Sequence, residues 1–270
     1  MHELIRTALA EDAAFNDLTA MATIPEGQRG TAAIHAKAAG ILSGIAVATE
    51  VFRQMSDAIA VHWHKHDSEP VHSGDRICEL AGPLRSLLAA ERTALNFLQH
   101  LSGIATATHA YVQAVAGSDC AIFDTRKTTP GLRMLEKQAV MHGGGHNHRM
   151  DLAGGLLIKE NHIAACGSLH QAVLACRNIA NAPWVEVECE TLEQVREAVE
   201  AKPDIILLDN MTPEMVRQAR TLIPRSIVIE ASGGITLANA RAYAEAGADR
   251  LAIGAITHSA PALDLSMRVN

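Results

Sequence analysis

Six short apolar, β-branched runs in the second half of the chain constrain its fold more than any other feature. They are CAIFDT, GLLIKEN, WVEVECE, DIILLDN, SIVIEAS and RLAIGA, and they alternate with segments of helical period such as SLHQAVLACRNIA, TLEQVREAVEAK, TPEMVRQARTLI and TLANARAYAEAGA. A β/α alternation of this kind demands a parallel sheet, because each helix must carry the chain back to the starting edge. The runs are nearly continuous in apolar residues, so the strands are expected to be covered on both faces. Thr191, Thr212 and Thr236, or their neighbours, are candidates to cap the helices that follow. Six units fall short of the eight of a standard barrel, which needs about 250 residues. The expectation is an incomplete or irregular (β/α) barrel of about six parallel strands.

The first hundred or so residues read differently. GTAAIHAKAAGILSG, AIAVHWHKH and PVHSGDRICELAG are short strand-like stretches broken by Gly and Pro. A long helical stretch follows, in which Leu84, Leu87, Leu88, Leu95, Leu98 and Leu101 form a core-facing stripe. This predicts a smaller N-terminal α+β sandwich domain over 1–108 and a barrel domain over 109–270, with the last residues returning to the first domain. No Pro/Ser-rich linker marks the boundary.

A 270-residue chain is long enough for well-buried cores, and 48% hydrophobic with 20% charged residues is the composition of a globular protein. No run approaches the roughly 18 apolar residues of a membrane span, and the N-terminal stretch has no signal-peptide pattern, so a cytoplasmic location and no membrane partner are expected. The five scattered cysteines, without a C-x-x-C pair, suit a reducing compartment as buried or indifferent thiols. A formal net charge of −7 argues against nucleic-acid binding. Positive charge must then serve a small anion locally.

That positive charge is concentrated where parallel β/α folds bind ligands, at the carboxyl ends of the strands. DTRKTTPGLR places Arg126 and Lys127 after the first run, LIKENHI places Lys159, Asn161 and His162 after the second, and the glycine-rich GGGHNHR between them carries His148 and Arg149. Glu186, Glu188 and Glu190 lie in the third run, Asp209 and Asn210 close the fourth, ASGGI the fifth and GAITHS the sixth. A lone cation at a strand end is ordinarily a solvated rim residue. So many at successive strand ends, together with carboxylates, imply an anionic ligand to hold them together. SGGI and IGA stand where such barrels bind phosphate through backbone N–H groups.

These motifs, with ERTALNFLQHLSGIAT upstream and LDLSM near the C terminus, resemble the quinolinate phosphoribosyltransferase family, the nicotinate-nucleotide pyrophosphorylases (carboxylating). The resemblance runs in order from EDAAFNDLTA to LDLSM. The departures are Gln138 where the family has Tyr, Asn16 where Gly precedes DLT, and Ala252 where Ser is usual. They touch helix packing and loop shape rather than charge.

The resemblance implies a pentosyltransferase of NAD biosynthesis, joining quinolinate to phosphoribosyl pyrophosphate with loss of CO₂. It implies Lys127, Lys159, Glu188 and Asp209 as catalytic residues. Arg92, Arg126, His148, Arg149, Lys159, Ser232, Gly233, Gly234, Gly254 and His258 would bind substrate, and Glu188 and Asp209 would hold Mg²⁺. It further implies a homodimer, or a hexamer as the larger alternative, with active sites shared between subunits.

Two alternatives remain at this stage. A related phosphoribosyltransferase group of molybdenum-transport operons lacks the Asn-His-Arg and Lys-Glu-Asn-His segments that are intact here. A non-catalytic phosphate-binding protein would need the glycine turns but neither Glu188 nor Asp209. His62, His64 and His66 share one face of a strand and could imitate a divalent-metal site, but a solvated strand face is the expectation.

Overall fold

The structure is a computed structural model that describes residues 1–181 and 183–269. In chain order its elements begin α1 (His2–Glu11), α2 (Leu18–Thr23), β1 (Arg29–Ala36), β2 (Gly40–Ile41), α3 (Ile45–Met55), β3 (Ala60–Trp63), β4 (Pro70–Val71), β5 (Arg76–Pro83) and α4 (Leu84–Ala114). The β/α series follows: β6 (Ala121–Phe123), α5 (Arg133–His142), β7 (Leu156–Ile158), α6 (Glu160–Cys166), α7 (Leu169–Arg177), β8 (Val185–Cys189), α8 (Leu192–Ala201), β9 (Ile205–Asp209), α9 (Pro213–Leu222), β10 (Val228–Ser232), α10 (Ala240–Ala246), β11 (Arg250–Ala252) and α11 (Ala255–His258). The chain closes with β12 (Leu265–Val269).

The chain divides into two compact units. The first comprises Met1–His109, Pro130–Gly144 and the residues from Ser259 onward. It holds an antiparallel sheet in the order β12-β1-β5-β3 and a two-stranded ladder of β2 with β4. β12 pairs with β1, Met267 opposite Ile34, so the C-terminal strand completes the first unit's sheet. Along α4, Leu87, Leu95, Leu98 and Leu101 are buried as the stripe predicts, whereas Leu88 is half-buried.

The first unit also takes in Pro130–Gly144, which the expected division at 108/109 left with the barrel. α4 runs unbroken past 108/109, and α5 belongs to the first unit although it lies between β6 and β7 in sequence. Gly143, at the end of α5, carries no side chain because a Cβ there would meet the Ala105 carbonyl oxygen of α4 at 2.4 Å. Close packing of one helix end against another thus ties α5 to α4 within the first unit.

The second unit, Ala110–Thr129 with Gly145–His258, is the incomplete barrel. Its six strands are all parallel, in the order β6-β11-β10-β9-β8-β7. At the β6 edge, His146 forms a bridge with Phe123, so the glycine-rich segment supplies part of a further strand. The strands read as apolar runs because both faces are covered: all of Ile205 to Leu208 are buried.

Helix starts follow their caps. Thr191 accepts a bond from Gln194 N–H while the Gln194 side chain accepts from Thr191 N–H, and Thr212 accepts from Met215 N–H ahead of Pro213. Thr236 does not cap α10. The helix starts four residues later, and Asn239 Oδ1 instead accepts the Thr236 N–H at 2.7 Å, which ties down the turn before it.

Candidate active site

The two-residue period of a strand decides which side chains face the carboxyl-end mouth of the barrel. Leu157 and Lys159, Glu186 and Glu188, Leu207 and Asp209, and Glu230 and Ser232 fall on one face of β7, β8, β9 and β10 or their immediate extensions. A cavity of about 280 Å³ opens there. Arg126, Lys127, His148, Arg149, Lys159, Glu188, Asp209 and Ser232 line it, together with Glu230 and Ala252. Ala252, one of the departures from the family pattern, is therefore a wall residue.

The predicted residues outside the lining fall into two sets. Gly233, Gly234 and Gly254 lie on the loops just past β10 and β11, and His258 ends α11. Gly233 and Gly234 have φ of +86° and +64°, backbone that residues with a Cβ adopt only with strain, so the turn after Ser232 points its amides where other residues could not. A Cβ at Gly254 would sit 2.9 Å from Lys127 Cδ and 3.3 Å from the His258 ring, so this glycine lets both side chains cross over it. Arg92 is exposed on α4 in the first unit.

Two guanidinium groups stand close together on one wall. Burial lowers the pKa of Arg149, and the charge of Arg126 lowers it further. Arg149 donates to the Gly155 carbonyl at 2.9 Å. Crowded, partly desolvated cations of this kind are stabilised by a dianion between them.

Carboxylates occupy two levels. Glu186 and Glu230 lie deepest, both fully buried. His148 Nε2 is 3.1 Å from Glu186 Oε2 and 3.4 Å from Glu230 Oε1, and these three side chains are the only group among the described residues whose His, Cys, Asp or Glu ligand atoms converge within 4.8 Å. Burial alone would favour a neutral ring, but hydrogen bonds and charge from the two glutamates outweigh it and push His148 up to about 9. Burial, and then the neighbouring Glu230 charge, raise the pKa of Glu186, against the pull of His148. His148 Nδ1 accepts the Arg149 amide N–H at 2.8 Å, which favours the ring form carrying its proton on Nε2. The two carboxylates facing Nε2 favour imidazolium instead, and the charged ring, a donor at both nitrogens, gives up that acceptance at Nδ1. Asp124, also buried, accepts the His148 amide N–H at 2.8 Å and fixes where the ring enters.

Nearer the mouth, Glu188 pairs with Lys159, and Asp209 accepts from Asn210 Nδ2 at 2.7 Å. Burial raises the Asp209 pKa and the charge of Glu188 adds to it, while Lys159, Lys127 and Asn210 oppose the rise. Two hard oxygen donors that repel one another, next to cations, form the kind of set that takes Mg²⁺ through one or two carboxylates shared with substrate phosphates.

The structure adds residues that sequence reasoning left out. Glu230 and Asn239 were not singled out, although the parity of Glu230 with Ser232 in SIVIEAS was a usable signal for the first. The His62–His64–His66 cluster is not a convergent metal site: the rings of His62 and His64 meet edge-on at 4.7 Å, and His64 lies 3.5 Å from Glu79 on an exposed surface. All five cysteines are free thiols, and burial pushes those of Cys78, Cys120 and Cys189 up to about 12. No helix among the described residues is long and apolar enough to cross a membrane.

Residues 17–102 match the family model of the quinolinate phosphoribosyl transferase N-terminal domain, and residues 104–268 match that of its C-terminal domain. A probable nicotinate-nucleotide pyrophosphorylase [carboxylating] of Bacillus subtilis is 45% identical over 270 residues, covering 100% of this chain and 93% of that protein. The nicotinate-nucleotide pyrophosphorylase [carboxylating] of Mycobacterium leprae is 41% identical, covering 98% of this chain and 95% of that protein. The solved nicotinate-nucleotide pyrophosphorylase from Francisella tularensis superposes with a TM-score of 0.95 at 40% identity, covering 99% of this chain and 95% of that one. The strand order, the cation-lined mouth and these matches over both units agree: the chain belongs to the quinolinate phosphoribosyl transferase family.

Proposed function

We propose that this protein transfers the phosphoribosyl group of phosphoribosyl pyrophosphate to quinolinate and decarboxylates the adduct, giving nicotinate mononucleotide, pyrophosphate and CO₂. The observation that carries this reading is the lining of one cavity by the cations Arg126, Lys127, His148, Arg149 and Lys159 together with the carboxylates Glu188 and Asp209. Planar carboxylates suit the forks of Arg126 and Arg149, and His148, charged by the glutamates behind it, adds a positive face to the same wall. Ser232, Gly233, Gly234 and Gly254 offer backbone N–H groups to the 5′-phosphate, with His258 alongside. Lys127 and Lys159 flank the groups that separate.

No protein nucleophile is required. The pyridine nitrogen attacks C1 of the ribose as the bond to pyrophosphate breaks, and catalysis rests on alignment and on carboxylates facing the positive charge that develops at C1. Glu188 and Asp209 are assigned that role. They would also hold Mg²⁺, whose charge offsets that of the pyrophosphate. With the nitrogen quaternised, the neighbouring carboxylate leaves as CO₂, and its electron pair remains on the ring carbon beside a positive nitrogen until a proton is taken up.

In the same reading the enzyme is a cytoplasmic homodimer, and Arg92 reaches the mouth of the partner's barrel. Every residue lining the cavity belongs to the second unit, whereas Arg92 belongs to the first. The test is turnover with Mg²⁺, phosphoribosyl pyrophosphate and either pyridine acid. Quinolinate is expected to yield nucleotide and CO₂ in equal amounts while nicotinate does not react, because one carboxylate cannot satisfy the cation wall. Equal use of nicotinate, or nucleotide without CO₂, would overturn the proposal.

A further inference from the structure

Asn210 occupies a conformation that its own packing does not explain. It has φ +54° although it is not glycine, and it is exposed, so no core contact holds it there. Three interactions do. Its backbone N–H donates to the Ser232 carbonyl at 2.8 Å, carrying the β9–β10 pairing one residue past the strands. Its Nδ2 donates to Asp209 Oδ2 at 2.7 Å. Its Oδ1 lies against Gly233 so closely that a Cβ there would be 2.2 Å away.

We infer that Asn210 is a positioning residue that sets the Asp209 carboxylate and the Ser232–Gly234 turn in one fixed arrangement. This inference rests on the proposed function and extends it: the carboxylate facing the ribose and the cradle for the 5′-phosphate are held by a single side chain.

The physical logic is one of spacing. The ribose and the 5′-phosphate are parts of one rigid substrate, so the two protein groups that meet them must be held at a set separation. A left-handed residue at the end of β9 turns its amide sideways, toward β10, where an ordinary extended residue would continue along the strand. With one carboxylate oxygen engaged by the Asn210 amide, Asp209 is restrained in rotation and keeps its other oxygen for the ligand. On the far flank of the turn Asn239 does the complementary work: its Nδ2 donates to the Gly234 carbonyl at 3.0 Å and its Oδ1 accepts from Thr236 N–H at 2.7 Å. Of the two asparagines, Asn210 is the one that also touches Asp209. The need for glycine at 233 thus has two causes, its φ of +86° and the amide of Asn210.

The test uses Asn210→Gly, which deletes the amide and removes the left-handed strain at the same time. The melting temperature is expected to stay level or rise. The kcat should fall by roughly tenfold or more and the KM for phosphoribosyl pyrophosphate should rise by a similar factor, with the quinolinate KM within about twofold of wild type. A residue with only a backbone role would give a more stable and fully active enzyme. Gly233→Ala supplies a second readout. It should raise the phosphoribosyl pyrophosphate KM in the wild-type background, and the double variant should lose less than the product of the two single losses, because the Cβ no longer meets Oδ1. Wild-type kinetics in Asn210→Gly, a rise in both substrate KM values alike, or strict additivity of the pair would each overturn the inference. Calorimetric titration of phosphoribosyl pyrophosphate alone separates this from failure of the functional reading: if quinolinate were not the acceptor, the weaker binding by Asn210→Gly would still be measured.

Discussion

Glu186 and Glu188 are two residues apart on the same face of β8, yet they live in different chemistry. Glu186, with Glu230 of β10, is fully buried against His148, whose Nε2 lies 3.1 Å from Glu186 Oε2 and 3.4 Å from Glu230 Oε1. Glu188, with Asp209 of β9, sits in the mouth with its side chain 14% exposed, paired with Lys159. One step along the strand, about 7 Å, separates a pair that holds a protein group from a pair that can hold a ligand. The lesson is that a barrel grades its carboxylates by depth. Inner ones set the charge of the wall, and outer ones remain available to meet a substrate.

The largest effect expected from breaking this arrangement comes from the rim and its counterpart on α4. Arg92→Ala and Lys159→Ala should each be nearly inactive. If Arg92 acts across a dimer, random co-assembly from equal amounts makes about half the dimers mixed, each with one intact site, and roughly a quarter of wild-type activity returns. Mixed dimers isolated through two different tags give the measurement directly. Activity no greater than that of the single variants would place Arg92 in its own chain's site.

A smaller effect is expected at the inner level. The His148 pKa is raised from 6.5 to about 9 in the fold, so the stability it contributes is present below pH 6.5 and is lost as pH rises through about 9. Melting temperature should therefore decline from pH 6.5 to 9. In Glu230→Gln, with one of the two carboxylates acting on His148 removed, the decline should flatten by about 2 to 4 °C over that window. Parallel curves for the variant and the wild type would show that Glu230 does not set the charge of His148.

Much of the rim was legible in sequence because a parallel strand ends where its apolar run ends. Asp209 closes IILLD and Lys159 follows LLI, so each could be assigned to the mouth without coordinates. The inner level was less legible. Glu230 stands inside an apolar run, and whether it faces the barrel interior depends on strand register, which composition does not fix. Asn210 was noted only as the neighbour of Asp209, since a positive φ leaves no mark in the sequence when the residue is not glycine. The capping of α10 was misread because Thr236 has the right chemistry, but the turn after Gly234 delays the helix to Ala240. The membership of α5 in the first unit was hidden for a different reason. α4 is one continuous helix of 31 residues, and the packing that draws α5 into the first unit acts between residues about 40 positions apart, such as Ala105 and Gly143.

The central claim is that the outer carboxylates act on the reacting ribose, and kcat of Asp209→Asn at saturating substrates tests it most directly. The substitution keeps the size of the side chain and removes its charge. The account predicts a kcat lower by on the order of 10²-fold or more with quinolinate binding nearly intact, the reverse of Arg126→Ala, which should chiefly weaken quinolinate binding. An unchanged kcat in Asp209→Asn would contradict it.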